Sequence, residues 1–332
     1  MDLMEETQIV LLVDIFSSCR LWYRSYTHYR QPGLGALAML PQRWHALFSS
    51  HVSRSGQMSY WYRPHTSKTR LPILFIHGIG IGIFAYTDFL HALSTEASAS
   101  SDEDDGEVGI IALELMNISS RICAPAPNSS HMRHEIHRIF NYHGWTDFVL
   151  AAHSYGTAIA SNMLQSQLFE SRIKAVVLMD PICFCLHLPD VAYNFTRRQP
   201  TQANERMLYY FASQDMMISH TLARHFFWSE YILWNEDIAN LPLTVTLSGK
   251  DLIVPKEAVW KYLTGGDVHD VKDQSQSDGF QRSREHENGS MRVMWFDDFD
   301  HAGLFASRGA CRGVGRLILE YSADAARDVD QP

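Results

Sequence analysis

Three side chains that could together run acyl transfer stand at the ends of three separate apolar runs: Ser154, Asp251 and His301, in that chain order. Brought together, an imidazole takes the proton of the hydroxyl as it attacks, and the carboxylate fixes the imidazole's tautomer and direction. The surroundings of the serine are the most specific. Residues 148–158 read FVLAAHSYGTA, an apolar run of strand character that drives into a serine flanked by small residues and is followed at once by a helix-forming run. Strand, abrupt turn and helix form an elbow that pushes a serine hydroxyl into a site. The pattern sought is Gly-x-Ser-x-Gly. Here Gly156 holds the second small position and Ala152 the first, where alanine adds only a methyl group.

Attack on a carbonyl leaves a negative oxygen that needs preorganised N–H donors. Tyr155, directly after the serine, is one expected donor. The other is expected from Ile79 in the stretch 71–82, LPILFIHGIGIG, where an apolar run meets a glycine-rich turn. Read as a phosphate cradle, this turn fails: Ile83 stands where G-x-G-x-x-G needs its last glycine, and no Gly-Lys-Ser/Thr follows. Asp251 sits after the strand-like run in 241–255, LPLTVTLSGKDLIVP. His301 sits after the short strand ending at Phe296 in 292–305, RVMWFDDFDHAGLF. Asp180 closes another apolar run, AVVLMDP, and is the rival for the acid. His77 and His153 flank the site and are expected to brace its loops. His131, His134 and His137 share one helical stretch, but H-E-x-x-H is missing, so an exposed amphipathic face is expected rather than a metal site.

On HGIG at 77–80, AHSYG at 152–156, SGKD at 248–251 and DHAG at 300–303, the chain resembles the α/β-hydrolase superfamily, of the single-domain serine-hydrolase type, over residues 57–325. The resemblance implies an α/β-hydrolase fold, a mostly parallel central sheet flanked by helices with an inserted helical cap. It implies Ser154 as nucleophile, His301 as general base, Asp251 as orienting acid, and Ile79 with Tyr155 as oxyanion hole. The implied reaction is cleavage of an ester, thioester or lactone with an apolar acyl portion, with neither cofactor nor metal. Acyl transfer, carbon–carbon bond hydrolysis and a non-catalytic binding role remain alternatives on the same fold. Epoxide hydrolases and haloalkane dehalogenases need a carboxylate where Ser154 stands.

The elements that must position these residues alternate. Strands are expected at 57–63, from 71, at 109–116, 148–153 and 173–180, with helices near 84–93, 131–142, 155–168 and 314–326, which argues for a parallel sheet. The core is expected in two parts, 56–183 and 239–332. Between them, 184–238 lacks strand alternation and is rich in Phe, Tyr and Trp. It is expected to form the helical cap, with Phe184, Phe211 and Trp228 as candidate substrate-binding residues. Arg197, Arg198 and Arg224 are expected at solvated positions.

The 332 residues, 46% of them hydrophobic, suffice for one large domain with an insertion. A net charge of −9 argues against a nucleic-acid surface. Part of it lies in 102–107, DEDDGE, expected with the preceding Ser/Ala tract as a mobile loop; 265–289 is expected as a polar surface insertion. Five cysteines without framework spacing read as reduced thiols, and no secretory leader is recognised, so a cytoplasmic location is expected. Residues 1–55 are expected as a helical, aromatic extension that either packs on the core or makes peripheral membrane contact; the apolar run 9–16 is too short to span a bilayer.

Overall fold

The computed structural model describes residues 3–35, 37–99, 105–239, 241–271 and 283–329. Among these, ten strands form one sheet: β1 Thr27–Arg30, β2 His51–Val52, β3 Ser59–Arg63, β4 Ile73–Ile76, β5 Ile110–Glu114, β6 Phe148–His153, β7 Ile173–Met179, β8 Leu243–Ser248, β9 Ser283–Asn288 and β10 Met291–Phe296. Their spatial order is β2-β1-β3-β5-β4-β6-β7-β8-β10-β9. From β5 across to β10 all neighbours are parallel. β3 runs antiparallel to β5 and to β1, and β9 antiparallel to β10. β4 and β6 are buried along their whole length, which is why they read as unbroken apolar runs.

The helices are α1 Leu3–Tyr23, α2 Thr87–Ala99, α3 Ser129–His143, α4 Tyr155–Leu164, α5 Asp190–Thr196, α6 Ala203–Leu208, α7 Met216–Arg224, α8 Trp228–Tyr231, α9 Lys256–Thr264 and α10 Arg308–Val329. Alternation along β4 divides the core. Leu74 and Ile76 pack with Ile136 and Phe140 of α3, Ile159 of α4 and Trp260 of α9. Ile73 and Phe75 pack with Leu21 of α1, Phe89 of α2 and Ile318 of α10. Local chemistry sets the helix ends: Asn128 caps α3 by accepting the His131 N–H at 2.8 Å, and Gly144 closes it in the left-handed region at φ +70°.

The 184–238 stretch carries α5 to α8 and a wide π turn, Tyr209–Ser213, with no strand among them. Its residues Val191, Phe195, Ala212, Ile218 and Tyr231 join the same core cluster as α3, α4 and α9.

Three expectations are corrected. Residues 1–55 are not helical throughout: α1 is followed by β1 and β2, which extend the sheet. Ser283–Asn288, inside the expected surface insertion, is an edge strand paired along β10, because backbone pairing there needs little apolar content; 272–282 lie outside the described residues. The Ser/Ala tract before the acidic run is helical as far as Ala99. Of that acidic run 102–104 lie outside the described residues, while Asp105 is buried and accepts from Ser67 Oγ, Thr69 Oγ1 and the N–H groups of Lys68 and Thr69. Among the described residues, no helix is long and apolar enough to cross a membrane.

Candidate active site

β6 ends at His153 and α4 begins at Tyr155, so Ser154 alone makes the turn, at φ +49° and ψ −120°. A non-glycine residue held there costs on the order of 1–3 kcal/mol and needs surroundings that leave no alternative. Those surroundings are present. The Ser154 N–H donates to Met179 O at 3.0 Å. A Cβ on Gly156 would stand 2.3 Å from Ile76 O, and one on Gly78 2.8 Å from the Ser154 Cβ, so two glycines let α4 and the loop after β4 close on the serine. Ala152, one position inside β6, fits its methyl between Ile76 and Leu178 of the neighbouring strands.

The structure brings the three distant side chains together. His301 Nε2 lies 2.8 Å from Ser154 Oγ, and His301 Nδ1 lies 2.7 Å from Asp251 Oδ2. Asp251 is buried, and its other oxygen accepts the N–H groups of Ile253 and Val254 at 2.6 and 3.0 Å. The carboxylate is thus fixed before it meets the imidazole. Burial pulls the His301 imidazole down, but the Asp251 carboxylate outweighs it, with help from Asp180 and Asp300, and the pKa rises to about 9.

In the loop after β4, the Gly78 N–H donates to Tyr86 Oη at 3.0 Å and the Gly80 N–H to Ile118 O at 3.1 Å. The Ile79 N–H between them makes no hydrogen bond among the described residues. Tyr155 N–H belongs to the first turn of α4, where no intrahelical acceptor exists. His77 braces this loop: Nδ1 donates to Gly78 O at 2.8 Å and Nε2 accepts from Leu115 N–H at 3.0 Å, while burial pushes its pKa down to about 4. His153 Nδ1 accepts from Tyr86 Oη at 2.8 Å.

Above the serine opens a cavity of about 360 Å³, walled mostly by apolar groups including Leu186, Val191, Phe195, Leu222, Phe226 and Trp228. Ile79, Ser154 and Tyr155 form part of the same wall. Trp228 stands where a substrate-contacting residue is expected. Phe184 does not: it is fully buried against Tyr262, in the core below the cavity wall. Phe211 does not either, because the π turn that carries it buries Ala212 and Ser213 and leaves Phe211 aside, half-buried. Arg197, Arg198 and Arg224 are absent from the wall. Leu186, Val191 and Leu222 lack a signal in the sequence, since a short aliphatic residue in an irregular stretch looks the same on a cavity wall as in a core. On α3, His131 and Arg138 pair with buried Glu135, which accepts from Ser55 Oγ at 2.6 Å and ties the loop before β3 to the helix.

A family model described as the α/β-hydrolase fold matches residues 71–227. The chain has the α/β-hydrolase fold. Comparison with curated proteins finds no match. Among solved structures, a carboxylesterase, CesB, from Bacillus subtilis is 11% identical with a TM-score of 0.56, covering 96% of this chain and 98% of its own. A meta-cleavage product hydrolase from Pseudomonas fluorescens IP01 is 15% identical with a TM-score of 0.52, covering 82% of this chain and 96% of its own. A serine hydrolase from the polyaromatic-hydrocarbon-degrading bacterium Cycloclasticus zankles is 12% identical with a TM-score of 0.51, covering 80% and 96%. At these identities the likeness is one of fold.

Proposed function

We propose that this protein is a serine hydrolase that cleaves an ester, thioester or lactone with an apolar acyl portion. The observation that carries the reading is the unbroken hydrogen-bonded line Ser154–His301–Asp251 at 2.8 and 2.7 Å, under an apolar cavity. As Ser154 Oγ attacks the carbonyl carbon, His301 Nε2 takes its proton, and Asp251 stabilises the resulting imidazolium. The N–H groups of Ile79 and Tyr155 receive the oxyanion. Collapse expels the alcohol or thiol, which collects the proton from His301. Water then repeats the sequence on the acyl-enzyme and releases the acid. Residues 184–238 act as the cap that shapes the acyl site. Exposed Leu12, Phe16 and Tyr23 of α1, with Phe48, support a peripheral contact with lipid through the N-terminal segment. Pelleting of the full chain with liposomes tests that contact.

Mass spectrometry after treatment with a fluorophosphonate is the direct test. Covalent mass on Ser154, together with hydrolysis of p-nitrophenyl esters, is expected. A clean protein with no adduct and intact esters removes the reading. The pH profile adds a sign. The imidazole, raised to about 9, stays protonated below that pH and cannot accept the serine proton. kcat/KM is therefore expected to climb with pH along a limb above the ordinary histidine value of about 6.5.

A further inference from the structure

Asp180 is a buried acid that the proposed reaction does not use. It directly follows β7 at φ +43°, a conformation that a non-glycine residue adopts only under constraint. Its contacts say what the constraint serves. Oδ1 accepts the Ser248 N–H at 2.9 Å, and Oδ2 accepts Ser248 Oγ and the Ala302 N–H, each at 3.0 Å. Ala302 directly follows the imidazole of the triad and is itself at φ +64°. His153, directly before the nucleophile, aims its Nε2 at Asp180 Oδ2 from 3.8 Å, and that nitrogen has no hydrogen-bond partner among the described residues. One side-chain nitrogen or oxygen from each of Asp180, Asp251 and His301 lies within 4.8 Å of the other two. One carboxylate therefore touches the loop of the imidazole, the end of the strand before Asp251 and the flank of the serine.

We propose that Asp180 is a second acid of this site, a positioning residue that anchors the His301 loop through the Ala302 N–H and shares with Asp251 the negative field beneath the imidazolium. The inference rests on the hydrolase reading above. The charged and titratable groups facing His301 are Asp251 from the loop after β8, Asp180 from the end of β7, His153 from the end of β6 and Asp300 on its own loop. Burial opposes ionisation of Asp180, yet His153, the His301 imidazole and the Ala302 N–H hold its carboxyl below the usual range, so the charge is present when the imidazole titrates. Burial keeps His153 below its ordinary value, with the neighbouring His301 adding to the effect; its Nε2–H then points at Asp180 as a neutral dipole.

The test is the pH dependence of Ser154 phosphonylation by a fluorophosphonate, with loss of fluoride, in the wild-type chain and in Asp180→Asn. The amide keeps an oxygen for the Ala302 N–H, gives up the bond from the Ser248 N–H, and removes the charge. The wild type is expected to be labelled. Asp180→Asn is expected to be labelled with its acid limb about one pH unit lower, since an acid within a few ångströms shifts a titration by about that much. A merely structural role would lower the melting temperature and leave the limb in place. Should Asp180→Asn fail to fold, the His301 imidazole is titrated by NMR in Asp251→Asn, where Asp180 is the remaining buried acid. A pKa above about 6.5 supports the proposal, and one at or below it overturns it. An unlabelled wild type removes the hydrolase reading itself. A labelled wild type whose limb coincides with that of Asp180→Asn overturns the role of Asp180 alone.

Discussion

The cluster around Arg43 and the cluster around His301 are both buried, and both gather acids and bases from distant parts of the chain. Arg43 bonds Asp14 of α1 through Nε and Nη2 at 2.9 and 3.0 Å, and Glu114 at the end of β5 through Nη1 and Nη2, both at 2.9 Å. Arg121 adds a second cation on Asp14 at 2.9 Å, and His28 and Trp61 each meet Glu114 at 3.0 Å. Burial opposes the Arg43 charge, but the two carboxylates hold it more firmly protonated than a free arginine. None of these charged residues has a positive φ. Around His301 the plan is reversed. Ser154, Asp180 and Ala302 all sit at positive φ, two acids face one imidazole, and the far end of the chain of bonds is a hydroxyl on a cavity wall. A buried cluster that cancels its own charges has no chemistry left to offer and serves to clamp α1 to the sheet. A cluster that keeps backbone strain and an unbalanced charge beside an opening is poised to move a proton.

Variants can break that contrast. The largest effect is expected for Ser154→Ala, which should lower kcat for ester hydrolysis by about 10⁶, as removal of a triad nucleophile does; a loss below about tenfold would place the chemistry elsewhere. Asp251→Asn keeps the geometry but leaves the wrong tautomer, and should cost about 10⁴ in kcat. Arg43→Met leaves the buried Glu114 without its cation and Asp14 with Arg121, and should cost about 3–5 kcal/mol in urea unfolding while the folded fraction still labels at Ser154 at the wild-type rate. A large loss of labelling with stability unchanged would erase the distinction between the two clusters. Trp228→Ala removes half-exposed apolar wall, and should raise KM for long-chain esters about fivefold with kcat nearly kept, read from steady-state kinetics across acyl lengths.

The parts of this molecule that are legible in the sequence share a physical cause. A strand buried on both faces must be apolar throughout, so β4, β6 and β7 announce themselves, and the polar residues that end such runs, Ser154 and Asp180, stand out against them. Edge strands carry no such demand: β9, SREHEN, is polar because only its backbone must be paired. β1 and β2 are four and two residues long, too short for any period to show. The stretch 184–238 is less legible in detail for another reason. An aromatic side chain lowers its free energy equally in a core or on a cavity wall, so Phe184 and Phe211 cannot be told from Trp228 by type alone.

Composition, strand order and the small residues at the elbow are local properties, and they determine the sheet, the turn at Ser154 and the identity of the chemical groups. Which groups meet is not local. The 2.8 Å between His301 and Ser154, the choice of Asp251 over Asp180 as the direct partner, and the anchoring of Ala302 by Asp180 all depend on how four parallel strands set their loops side by side. Hydrogen bonds act over about 3 Å, whereas spacing along a chain constrains distance only through the fold that joins its ends.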